Sequence, residues 1–126
     1  TIFYQGDPSN CLHIVQVGTV EISKMTSNEG DEYTPLVELS EGNIFGEMSF
    51  LTESDRSASA VASTHVVLFS ITRRNFETII DEHPTLACDL YDAITQVLCY
   101  RLRRTDDKLI RLSDQLERTG SKPTPE

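Results

Sequence analysis

From Pro84 to about Arg118 the chain contains no internal glycine or proline, so nothing in the sequence interrupts a single long helix. Pro84 suits the first turn, because the N–H it lacks would find no helical carbonyl there. Within this run Thr95, Leu98, Leu102, Thr105, Leu109, Leu112 and Leu116 alternate spacings of three and four, the outline of a two-helix seam. With Leu102 at position a, Arg101 falls at g and Asp106 at e of the next heptad, where opposite charges pair between parallel helices. The pattern predicts a homodimer through this helix. The alternative is that the leucines pack against the chain's own β-structure.

Upstream the text changes period. CLHIVQVGTVEI, residues 11–22, reads as two β-rich runs meeting at Gly18 in a hairpin. SNEGDEY, residues 27–33, has turn composition, and the apolar run PLVEL after it predicts another strand pair. Ala58, Ala60 and Ala62 share one face of a strand, and THVVLFSI is expected to pair with it across a turn near Ser63 to His65. Those alanines either leave room for something beside the strand or merely pack under a neighbouring helix. Thr72 can cap a helix RRNFETIIDEH with Phe76, Ile79 and Ile80 on one face, ended by Pro84. The fold class expected is mainly β with flanking helices. Strands extend to about residue 71, helices cover about 72–83 and 84–118, and TGSKPTPE, 119–126, is a disordered tail or linker.

A chain of 126 residues is enough for one compact domain with its own core. No apolar run approaches the roughly 18 residues of a membrane span, and no signal peptide is visible. The chain opens inside strand or turn text, TIFYQGDPSN, so upstream structure is expected to be missing. A net charge of −9 repels a phosphate backbone, and the basic residues gather at Arg101, Arg103, Arg104, Lys108 and Arg111 without forming a broad positive face. Nucleic-acid binding by these residues alone is therefore not expected. Cys11, Cys88 and Cys99 make neither a CxxC nor a zinc-like Cys/His spacing, which points to buried thiols in a reducing, cytoplasmic setting. His13, His65 and His83 show no HxH or HExxH pattern, and no serine or cysteine sits in a nucleophile motif. No enzyme, metal or cofactor is expected.

The segment FGEMSFLTESDRSASAV, residues 45–61, holds the only Lys or Arg between Lys24 and Arg73. That window also contains Glu29, Asp31, Glu32, Glu38, Glu41, Glu47, Glu53 and Asp55. Such an arginine is either a solvated surface charge or the sole cation of an anion site. The context favours the site. GEMSFL after Gly46 can form a short helical turn with free N–H groups, and Arg56 returns on the next strand with a planar fork suited to phosphate. Glu47 would repel phosphate but is a strong acceptor for a sugar hydroxyl, as in dinucleotide sites. A ligand with one phosphate and a free ribose hydroxyl satisfies both.

FGEMSFLTESDRSASA resembles the phosphate-binding cassette of the cyclic-nucleotide-binding domain family, which includes catabolite-activator-type regulators, kinase regulatory subunits and cyclic-nucleotide-gated channels. The likeness extends over most of the chain. GDPSNCLHIVQVGTVEI resembles the family's early hairpin, LSEGNIFGE its lead-in, HVVLFSITRRNFETIIDEHP its last strand and first C-terminal helix, and LYDAITQVLCYRLRRTDDKL its long helix. The resemblance implies an antiparallel, jelly-roll-like β-roll followed by a short helix and a long dimerisation helix, with an upstream helix and strand missing. It implies that Glu47 and the Gly46 backbone bind the ribose 2′-hydroxyl and that Arg56 and Ser57 bind the cyclic phosphate, helped by the N–H groups of Met48 and Ser49. Thr105 would meet the adenine amino group, and Asp106 the nucleotide across the dimer. Asp55 stands where many family cassettes have proline. The function implied is sensing of cyclic AMP, with cyclic GMP as the lesser ligand. Occupancy would be relayed to an output domain, foremost the DNA-binding domain of a transcription regulator. The alternative is a ligand-free dimerisation or docking module that keeps the fold.

Overall fold

The computed structural model describes residues 1–26 and 32–119. Six strands and three helices follow in chain order: β1 (Cys11–Val17), β2 (Val20–Met25), β3 (Tyr33–Leu39), β4 (Ile44–Phe45), α1 (Glu47–Thr52), β5 (Ser59–Ala62), β6 (Val67–Thr72), α2 (Arg73–Glu82) and α3 (Pro84–Arg118). Two antiparallel three-stranded sheets form, ordered β4-β1-β6 and β3-β2-β5. The mainly β class with flanking helices is thus what the chain adopts. The turn composition read over 27–33 falls mostly on 27–31, outside the described residues, and Tyr33 already opens β3.

The strand positions agree with the sequence reading, but two expected pairings do not. β1 and β2, which meet at Gly18, are not a hairpin: β1 bonds to β4 and β6, and β2 to β3 and β5. Likewise β5 pairs with β2, whereas the strand after it, β6, pairs with β1. At both corners the chain crosses from one sheet to the other. The reason is burial. Folding over at Gly18 places Val15 of β1 and Val20 of β2 in one core with Leu39, Phe45 and Ala60, which a flat hairpin could not do with one covered face. Ala60 is fully buried there, packed in the core between the sheets rather than under a helix, while Ala58 is half-buried. Ala62 is exposed.

The two corners touch. Ser63 donates its N–H to Thr19 O at 2.9 Å, and Thr19 N donates to Thr64 Oγ1 at 3.0 Å. α2 begins where expected: Thr72 is extended (φ −77, ψ 156) and its side chain accepts from Asn75 N, a standard N-cap. Phe76 of α2 is buried edge-on to Phe50 of α1, with ring centroids 5.3 Å apart.

By compactness the chain divides into Thr1–Cys88 and a unit from Asp89 onward. The second unit is the body of α3. It exposes Leu102, Leu109, Leu112 and Leu116, from 63% down to 47%, so these residues of the expected seam lie open, whereas Leu98 is half-buried. The expectation of buried thiols fails: Cys88 and Cys99 are exposed and Cys11 is half-buried. Both exposed cysteines are on α3, whose length gives it more surface than one chain covers. Among the described residues no helix is long and apolar enough to cross a membrane. Residues 120–126 of the expected tail lie outside the described residues.

Candidate functional site

Gly46 closes β4 and opens α1 in a left-handed conformation, φ 75 and ψ 11. A Cβ there would fall well inside van der Waals contact with Arg56 Nη1. Glycine is thus needed twice, for the turn and for the approach of the guanidinium. α1 ends at Glu53, also left-handed at φ 55. The returning segment is fixed by the N-terminal stretch: Arg56 N donates to Asp7 O at 2.8 Å, and Gly6 N donates to Arg56 O at 2.8 Å.

The Arg56 side chain turns inward and keeps only 6% of its surface exposed. Nη1 donates to Ser49 Oγ at 3.2 Å and to Gly46 O at 3.3 Å. Nη2 donates to Cys11 O at 3.0 Å and lies 3.4 Å from His13 Nε2. The plane stacks on Phe3, with Cζ 4.1 Å from the ring centroid, a cation–π contact. Nε is buried without a hydrogen-bond partner. Burial draws the pKa of Arg56 below its ordinary value, opposed by Cys11, Asp7 and Glu47. An unspent donor on a dehydrated cation has strong affinity for an anion's oxygen.

Glu47 is buried at 3% exposure and Ser49 at 3%, whereas Met48 is 56% exposed and Ser57 and Asp55 are exposed on the loop. Gly46, Ser49 and Arg56 are therefore brought into direct contact, with the Glu47 carboxylate in the adjoining residue. Thr105 and Asp106 lie exposed on α3, in the second unit, where Thr105 Oγ1 donates back to Arg101 O at 3.0 Å.

Sequence reasoning missed Phe3, the Cys11 carbonyl, His13 and Ser9, whose Oγ accepts from Ser49 Oγ at 3.0 Å. A backbone carbonyl leaves no trace in a sequence. His13 reads as an ordinary strand residue, but its ring packs against Phe45 and Phe3, with centroids 5.1 and 6.1 Å away. Its Nδ1 sits 2.6 Å from Ser70 Oγ. Since a guanidinium can only donate, Nε2 is the acceptor side, and the neutral Nδ1–H tautomer donating to Ser70 follows.

The His13 pKa is lowered to about 4, first by burial and then by the Arg56 charge. The unfolded chain, near 6.5, binds a proton that the folded chain refuses between these values. Stability is therefore unaffected above pH 6.5 and is lost as pH falls from about 6.5 to about 4. The full shift would correspond to about 3 kcal/mol, and partial solvent access to the half-buried ring reduces this to about 2 kcal/mol. Urea melts at pH 7 and pH 4.5 are expected to show the parent losing about 2 kcal/mol more than His13→Gln. Equal losses in the two would refute the assignment.

The family model described as "Cyclic nucleotide-binding domain" matches residues 1–83. The "Cyclic AMP receptor protein" of Thermus thermophilus is 40% identical over 112 residues, 89% of this chain and 49% of that protein. The crystal structure of the Thermus thermophilus catabolite activator protein superposes with a TM-score of 0.71 at 38% identity, covering 89% of this chain and 50% of that one. The "Lysophospholipase NTE1" of Kluyveromyces lactis is 36% identical over 86 residues, 68% of this chain but 6% of that protein. The chain spans about half the length of the first of these relatives. With two antiparallel sheets, a glycine-capped helical turn and a buried arginine behind it, the chain belongs to the cyclic nucleotide-binding domain family.

Proposed function

We propose that the chain is the sensor domain of a cytoplasmic transcription regulator and binds cyclic AMP in preference to cyclic GMP. The observation that carries this is Arg56: a buried cation with an unpartnered Nε, set against the Gly46 turn and the buried Glu47. A cyclic phosphate has one negative charge, which one guanidinium matches. Arg56 and Ser57 take the phosphate, with the N–H groups of Met48 and Ser49. Glu47 and the Gly46 backbone take the ribose 2′-hydroxyl. On α3, Thr105 meets the adenine amino group and Asp106 the nucleotide of the second subunit. The preference for cyclic AMP rests on Thr105, and the name of the Thermus thermophilus relative supports it.

The exposed leucines of α3 are the seam of a homodimer. Nucleotide bound at the cassette acts through α2 and the hinge at His83 and Pro84 on α3, shifting a balance between two states by its differential affinity for them. The domain carries no chemistry of its own. Its output is a DNA-binding domain outside this chain, and the match to a small part of a lysophospholipase is consistent with a module that serves varied outputs.

Isothermal titration with each nucleotide tests the reading on a sample whose mass is read by light scattering. Roughly micromolar binding, tighter for cyclic AMP, to a species of twice the chain mass is expected. No heat from either nucleotide with folded protein would leave a dimerisation or docking module, and a monomeric mass would remove the seam.

A further inference from the structure

We infer that Ser49 sets the affinity of this site by competing with the ligand for Arg56, so that the domain rests with its arginine held back. The inference builds on the nucleotide reading above. A guanidinium has five N–H donors. Four of them, on Nη1 and Nη2, face protein acceptors: Ser49 Oγ, Gly46 O, Cys11 O and His13 Nε2. Nε alone has none. With 6% of its surface exposed, Arg56 cannot give a phosphate the two-pronged contact that makes such pairs strong until one Nη nitrogen lets go of the protein.

Nη1 is the nitrogen to release: both its contacts, 3.2 and 3.3 Å, are long, whereas Nη2, although only 3.4 Å from His13 Nε2, is anchored by its 3.0 Å bond to Cys11 O. Of its two acceptors only Ser49 Oγ belongs to a side chain. That hydroxyl is oriented to accept from Nη1, because its own proton goes to Ser9 Oγ at 3.0 Å and a lone pair is left facing the guanidinium. Ser49 is 3% exposed, so water does not compete for it. A charged phosphate oxygen is the better acceptor and wins the exchange. The apparent affinity is nonetheless divided by the small fraction of molecules in which Arg56 is already released.

Ser49→Ala keeps the Cβ, raises helix propensity and leaves an Nη1 proton of the resting state without an acceptor. Titration of the full chain with cyclic AMP is expected to show Ser49→Ala binding more tightly than the parent by about tenfold or more, in line with the loss of one charged hydrogen bond from the free state. Ser9→Ala is expected to change affinity in the same direction by a smaller factor. In nucleotide-free protein the 15N-resolved Nε–H signal of Arg56 is expected to exchange with water faster in Ser49→Ala than in the parent. If the parent binds and Ser49→Ala binds equally or more weakly, the hydroxyl serves the ligand and the inference is overturned. If neither protein binds a nucleotide, the sensor reading fails and the competition falls with it; faster exchange in Ser49→Ala would then show only that the hydroxyl holds Arg56 in the free protein, and unchanged exchange that it does not.

Discussion

Arg56→Ala is expected to weaken cyclic AMP binding about a hundredfold. The loss follows from removing the one cation that the cassette supplies, whose charged hydrogen bonds are worth roughly 1.5 to 3 kcal/mol in net terms. Stability should change far less. The substitution strands Gly46 O and Cys11 O without their donor, but it also removes a charge that is costly to keep at 6% exposure, and the two effects oppose each other. A melting temperature close to the parent's would show that the binding loss belongs to the site. Parent-like affinity in Arg56→Ala would mean that the phosphate is held elsewhere and that the arginine is only a structural strut.

Gly18→Ala is expected to cost about 3 to 5 kcal/mol, the largest effect on stability. Gly18 sits at φ 94, where a side chain is strained by about 1 to 2 kcal/mol. The added Cβ would also collide with the His65 carbonyl and lie 2.8 Å from Thr64 Oγ1. A backbone carbonyl cannot swing aside as a flexible side chain can, so one corner must move off the other and loosen the core behind it. A urea midpoint shift equivalent to less than about 1 kcal/mol would show that the corners slide freely.

The helices were legible because their signals are local: the Thr72 hydroxyl, the Pro84 start and the uninterrupted text to Arg118 all act within a turn or two. The strands were legible for the same reason, through alternation. Their partners were not, because a period of two says which face is apolar and nothing about which strand lies alongside. Gly18 and the 63–65 turn therefore looked like hairpins until burial of Val15 and Val20 in one core required a crossing. At the site, Gly46, Glu47 and Arg56 could be read from type and spacing. The acceptors that hold Arg56 could not, since Cys11 contributes a carbonyl that any residue has, and Phe3 and His13 come from text that reads as plain strand. For Cys88 and Cys99, cysteine's usual burial gives way to the exposed surface of α3.

The two crossings also govern how the protein comes together in time. Among the described strands only β2 and β3 are both consecutive and paired; the strands on either side of β1 come from far downstream, as in the 57-residue separation of the bonded pair His13 and Ser70. A loop of that length must close before the β4-β1-β6 sheet gains anything from its hydrogen bonds. Refolding should accordingly run on the millisecond-to-second scale of sheet proteins, while the α3 segment can coil within microseconds. The Arg56 cradle draws Cys11 from β1 and Gly46 from the end of β4, so it exists only after those two distant strands have met. A ligand that needs this cradle would therefore have nothing to recognise until that closure has occurred.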